Sequence, residues 1–182
     1  MQLNFSFIKK PFFIKIENWK PKHAKSLVTV ANNEEIAQAL NCNFPYPYTE
    51  LHAKEWIQYC RKIKDSKDTF ERAIVIDDKV AGGVGVYFSD NMKRAKIGYW
   101  LGKNFWGNGI MSEIVSKITE NLRKIPSLEE IYTVVWKNNI GSKKVLEKNN
   151  FVSNNLLSAQ NSQNEIVFYS LKLKDNALLG KY

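Results

Sequence analysis

The sequence predicts a mixed α/β fold of the α+β type: a twisted, mostly antiparallel sheet with helices, in a single domain over residues 1–182. Three observations carry that expectation. Ile110, Ile114, Ile118, Leu122 and Ile125 step by three or four, the period of a helix that buries one face. Two β-branched runs, 73–76 and 80–88, flank Asp77-Asp78, as in a hairpin. Between them and the long helix, the stretch 97–111 passes from strand pattern through two glycines directly into helix pattern.

Along the chain, Phe12, Ile14 and Ile16 alternate with Phe13, Lys15 and Glu17, which predicts a strand. Ala24, Leu27, Val28 and Ala31 recur at helical spacing, and a short helix is expected over 34–40. Pro45 and Pro47 exclude regular helix from 41–48. Thr49 can then cap a helix that buries Ala53, Trp56, Ile57, Cys60 and Ile63. Gly82, Gly83 and Gly85 inside the second hairpin strand predict a bulge or a close backbone approach. A turn at 89–91, a strand at 95–101, the long helix from about Gly109 to before Pro126, and a strand at 131–136 follow. A helix over 139–149 and two closing strands, 151–157 and 165–174, end the pattern.

Composition narrows the function. The chain has 182 residues, 44% hydrophobic and 25% charged, which is ordinary for a globular protein. No run approaches the roughly 20 apolar residues of a membrane span. The first residues, interrupted by Lys9, Lys10 and Lys15, do not read as a signal peptide. Cys42 and Cys60 have no metal-ligand spacing and form no disulfide framework, so a reducing cytoplasm is expected, without a metal. A net charge of +9 would suit an acidic partner, but the lysines are scattered rather than clustered. Nucleic acid is therefore not the expected partner.

The stretch Ile97–Met111, IGYWLGKNFWGNGIM, has the chemistry of an anion site. Gly107 and Gly109 allow a close backbone approach, and the amides opening the helix point along the positive end of its dipole. A ligand-free tight turn has the same local signature. A dinucleotide fingerprint also begins Gly-x-Gly, but Ser112 stands at its third glycine and the preceding strands read as antiparallel. No Gly-Lys-Ser/Thr phosphate loop is present.

A second motif follows the next strand: Asn139-x-x-Ser142-x-Lys144-Val145-Leu146-Glu147-Lys148-x-x-Phe151. Together with Phe105-Trp106-Gly107-Asn108-Gly109, Ile97-Gly98-Tyr99-Trp100-Leu101 and Tyr46-Pro47-Tyr48-Thr49, it resembles the GNAT superfamily of acyl-CoA N-acyltransferases. The likeness is to the branch of ribosomal-protein N-terminal acetyltransferases. It implies helices on both faces of the sheet and a central parallel strand pair that splays to hold coenzyme A. It also implies acetyl-CoA as cosubstrate, with the acetyl group passing to a primary amine by direct attack in a ternary complex. The acceptor would be a protein N-terminus or a small amine, and the enzyme a monomer or homodimer.

By the same resemblance, the backbone of Tyr99, Trp100 and Leu101 would take the pantetheine arm, and Tyr99 and Leu101 would polarise the thioester carbonyl. Asn104, Trp106, Gly107, Asn108, Gly109, Ile110 and Met111 would cradle the diphosphate. Asn104 stands where the family usually has Gln, Arg or Glu. Asn139 would bond pantetheine. Ser142 would position pantetheine or protonate the thiolate, or simply bond within the helix start. Lys144 would meet nucleotide phosphates or lie solvated on its helix. Phe44, Tyr46 and Tyr48 would line the acceptor pocket or pack on the core. Asn150, where the family commonly has Gly, is compatible with a left-handed helix end.

The general base is open. Many relatives have Glu where this chain has Lys96, and an ammonium is a poor base. Glu71, Glu50, His52 and Glu113 are the alternatives. A non-catalytic acyl-CoA sensor is the rival reading that Lys96 prompts.

Overall fold

The computed structural model describes residues 3–40, 44–157 and 165–173. Cys42 and the polar turn expected near 158–164 lie outside the described residues. Strands β1 (Phe5–Lys9), β2 (Phe12–Asn18), β3 (Thr69–Ile76), β4 (Lys79–Ser89), β5 (Arg94–Leu101), β6 (Glu130–Trp136), β7 (Val152–Leu157) and β8 (Ile166–Lys172) form one sheet ordered β1-β2-β3-β4-β5-β6-β8-β7. Helices α1 (Ala24–Ala31), α2 (Glu34–Leu40), α3 (Glu50–Lys62), α4 (Ile110–Leu122) and α5 (Ile140–Lys148) and two 3-10 turns, Pro21–His23 and Lys103–Phe105, complete the element order among the described residues. The expected mixed, mostly antiparallel sheet with one parallel pair is present. The parallel register joins Arg94–Lys96 of β5 to Glu130–Tyr132 of β6. Among the described residues no helix is long and apolar enough to cross a membrane.

The chain groups into two compact units, Met1–Tyr87 with Gly98–Met111, and Phe88–Ile97 with Ser112–Tyr182. In the first, β1 was not anticipated. Its Phe5 and Phe7 alternate with Ser6, but Ile8 on the outward side is 70% exposed, and that breaks the polar half of the pattern. It pairs with β2 from Phe5↔Ile16 to Lys9↔Phe12. One core cluster collects Trp19, Leu27 and Ala31, Ala53, Ile57 and Cys60 of α3, and Ala73, Val75 and Val80 of the sheet.

Local sequence explains the joints of this unit. Asp77 and Asp78 both have positive φ, 48° and 62°, as a two-residue hairpin turn requires. The glycines of β4 meet both predicted conditions. The β3–β4 register slips between Ile74 and Val75, and a Cβ on Gly82 would lie 2.3 Å from the Trp100 carbonyl oxygen. Thr49 caps α3 as expected: the His52 N–H donates to its Oγ1 (3.4 Å), and the Thr49 N–H donates to His52 Nδ1 (3.2 Å).

In the second unit, β6 and β8 pair antiparallel from Glu130↔Lys172 to Trp136↔Ile166, and β7 continues beside β8. Ile114, Val115, Ile118 and Leu122 give α4 its buried stripe. The end of α5 is a Schellman motif. Asn150 has φ 63°, its N–H donates to the Glu147 carbonyl (3.1 Å), and the Phe151 N–H donates to that of Leu146 (3.1 Å).

Candidate active site

The glycine turn is built by its own neighbours. The Gly102 N–H donates to the Ala81 carbonyl at 2.7 Å, which anchors the exit of β5. A single 3-10 turn, Lys103–Phe105, follows. The Trp106 indole N–H reaches back to the Leu101 carbonyl (2.6 Å), and the Asn108 amide donates to the carbonyls of Phe105 (3.2 Å) and Trp106 (3.1 Å). The side chains of two residues expected to cradle the diphosphate, Trp106 and Asn108, thus hold the loop, and the Leu101 carbonyl is already engaged by Trp106.

Gly107 and Gly109 adopt φ 78° and 70°, and α4 starts at the next residue. Around Gly107 a Cβ would meet nothing within 4 Å, so backbone conformation and an open approach explain the glycine. Ile110 and Met111 are buried. Asn104 is exposed. The arrangement suits an anion held by main-chain amides.

Beside β5 lies a group that the sequence offered only as one candidate among several. Glu71 on β3 stands opposite Gly85 of β4, and Tyr87 is its diagonal neighbour. The Tyr87 hydroxyl donates to the Glu71 carboxylate. Gly85 makes room for the pair, since a Cβ there would lie 2.6 Å from the tyrosine oxygen and 2.8 Å from the carboxylate. Burial pushes the Glu71 carboxyl up to about 7, opposed by the Tyr87 hydrogen bond and by the Arg72 charge. Burial, and next the Glu71 charge, push the Tyr87 hydroxyl well above its ordinary range, so it remains a donor. The ring of Tyr87 also reaches β5, its Cε2 lying 3.8 Å from where a Gly98 Cβ would be. The carboxylate–phenol pair therefore sits beside the strand segment expected to take the thioester.

The other base candidates are engaged elsewhere. His52 closes the cap of α3, Glu50 pairs with Lys54 (3.5 Å), and Glu113 pairs with Lys117 (3.4 Å). Lys96 is exposed on β5. Burial raises the Cys60 thiol above its ordinary range, the opposite of an activated nucleophile.

Of the expected acceptor residues, Phe44 stacks on Tyr48 (centroids 5.2 Å) and meets Trp100 edge-on (5.8 Å), so these rings form a wall against β5. Tyr48 is buried, whereas Tyr46 is 52% exposed. In the second unit, Asn139 caps α5, its Oδ1 accepting from the Ser142 N–H at 3.0 Å. The Ser142 amide is thus bound into the helix start. Lys144 is exposed.

Tyr87 was missed by sequence reasoning. Its signal was available only as period two, since Gly85 and Tyr87 share a strand face, but nothing local says that Glu71 lies opposite.

The uncharacterized N-acetyltransferase p20 of Bacillus licheniformis is 29% identical over 130 residues, 69% of this chain and 71% of that protein. The probable N-acetyltransferase YjcK of Bacillus subtilis (strain 168) is 31% identical over 109 residues, 58% of this chain and 60% of that protein. Among solved structures, a ribosomal alpha-N-protein acetyltransferase, RimL, in complex with coenzyme A superposes with a TM-score of 0.79 at 16% identity, over 92% of this chain and 98% of that one. The self-immunity acetyltransferase MccE in complex with acetyl-CoA and AMP superposes at 0.77 with 20% identity, over 87% and 92% of the two chains. At such identities the structural likeness is one of fold. The family described as the acetyltransferase (GNAT) domain matches residues 14–152, most of the length, and the chain belongs to it.

Proposed function

We propose that this chain is a single-domain, cytoplasmic N-acetyltransferase that passes the acetyl group of acetyl-CoA to a primary amine, either a protein N-terminus or a small amine. The glycine turn carries this reading: two left-handed glycines open a 13-residue helix whose first amides can hold a diphosphate. The residues that would hold acetyl-CoA are the backbone of Tyr99, Trp100 and Leu101, the turn from Asn104 to Met111, and Asn139, Ser142 and Lys144.

Acetyl-CoA supplies the electrophilic thioester. Glu71 is the base in this scheme. Its carboxylate, deprotonated above about pH 7, takes a proton from the acceptor ammonium directly or through one water, and the neutral amine so formed attacks the thioester carbonyl while Tyr87 orients the carboxylate. An amine of lysine type has a pKa of about 10.4 and a peptide α-amine about 8, so the base has more to do for the former. The nitrogen–carbon bond forms, the carbon–sulfur bond breaks, and the departing thiolate takes a proton, with Ser142 as its proposed donor. Backbone amides at Tyr99 and Leu101 would polarise the thioester carbonyl and stabilise the developing oxyanion. Phe44, Tyr46 and Tyr48 would line the acceptor side.

The deciding experiment follows thiol release from acetyl-CoA over a panel of amines and N-terminal peptides, alongside CoA binding by calorimetry. Turnover with one acceptor class supports the transferase. Tight acetyl-CoA binding with no turnover across the panel would favour the acyl-CoA sensor, the reading prompted by Lys96. Absence of CoA binding sinks both.

A further inference from the structure

Lys9 lies at the end of β1, where it is the last residue paired with β2, opposite Phe12. Phe12 packs edge-on against Phe105 of the 3-10 turn, with ring centroids 5.9 Å apart. That contact brings the hairpin end against the glycine turn. There the half-buried Lys9 side chain passes Gly109: a Cβ on Gly109 would lie 3.6 Å from Lys9 Cε and 3.9 Å from its Nζ.

This placement is electrostatically unfavourable by itself. The start of α4 carries the positive end of a helix dipole, which disfavours a cation there. Among the described residues Lys9 makes no ion pair that would offset it. The half-buried Lys9 side chain nevertheless lies along the turn. An anion on the amides of Gly107–Met111 would convert both positive sources into attraction.

We propose that Lys9 is a phosphate ligand of this enzyme, its ammonium contacting the diphosphate of coenzyme A on the Gly109 side of the turn. The inference rests on the transferase reading above and adds to it a residue from a strand far from either sequence motif.

The test is calorimetric titration of CoA and dephospho-CoA into the full-length protein and its Lys9→Ala, Lys9→Gln and Lys9→Arg variants, with thermal unfolding as the control for folding. Lys9→Ala and Lys9→Gln are expected to weaken both ligands by about tenfold, the size of one charge-assisted hydrogen bond. Lys9→Arg, which keeps the charge, is expected to stay within about threefold. Unchanged binding in the folded Ala or Gln variant overturns the proposal while leaving the transferase reading intact. A loss confined to CoA, absent with dephospho-CoA, overturns the diphosphate assignment by moving Lys9 to the 3′-phosphate. Failure of the unsubstituted protein to bind CoA overturns the transferase reading and this inference together.

Discussion

The Tyr87 hydroxyl donates a hydrogen bond to the carboxylate of Glu71, and the pair occupies a space that exists because residue 85 is glycine. Arg72 and Cys60 are the other ionisable groups that bear on this carboxylate. With the Glu71 carboxyl raised to about 7, kcat/KM is expected to rise as pH increases through about 7. Glu71→Gln should lower kcat by about 10²–10⁴-fold and abolish that limb. Tyr87→Phe removes a hydrogen bond that lowers the carboxyl, so the limb should move to higher pH. Full activity in the Gln variant across pH 6–9 (roughly the range over which such a base titrates) would remove Glu71 from the mechanism.

The same carboxyl makes stability depend on pH. Its folded value, about 7, lies above the ordinary 4.5, so between them the folded state holds more protons than the unfolded state. Stability present below about 4.5 is therefore lost as pH rises through about 7. Glu71→Gln should flatten this slope, with a gain over the parent at pH 8 on the order of 3 kcal/mol at most. Urea unfolding at several pH values measures it.

Both turn glycines sit at positive φ, where a side chain costs about 1–2 kcal/mol per residue. Replacing Gly107 and Gly109 together by valine is expected to abolish CoA binding, because the turn must refold away from the amide-donating geometry. Calorimetry reads the loss, and retained binding in a folded double variant would show that the ligand does not use this turn.

Asn139 has two roles that can be separated. Asn139→Ala removes the cap of α5 and should cost about 1 kcal/mol in stability. Asn139→Asp keeps the accepting oxygen and the stability but loses the amide donors proposed for pantetheine. The Asp variant should therefore unfold near the parent temperature while its KM for acetyl-CoA rises several-fold. An unchanged KM would leave Asn139 as a cap alone.

Gly82 is required by contact. A Cβ there would lie 2.3 Å from the Trp100 carbonyl oxygen and 3.1 Å from the Leu101 Cα, both backbone atoms that cannot swing aside. Gly82→Ala should lose about 1–3 kcal/mol in thermal or urea unfolding. It should also disturb the segment of β5 proposed to take the thioester, raising the KM for acetyl-CoA.

What the sequence determined by itself was local. Thr49 and Asn139 cap helices through side chains that reach three residues on, Asp77-Asp78 turns a hairpin, and Asn150 ends a helix in the left-handed region. The glycine turn before α4 is of the same kind, because φ preference and the start of a helical period are written in adjacent residues. The family motifs lie in such stretches, which is why the family was legible in the sequence. Only the tertiary structure decided the rest. Glu71 meets Tyr87 across 16 residues because β3 and β4 pair in one register, and a slip of one residue would turn them to opposite faces. Lys9 meets Gly109 because a hairpin packs an aromatic ring against the turn. Register and packing are set by many weak contacts between distant residues, and no short stretch of the chain records them.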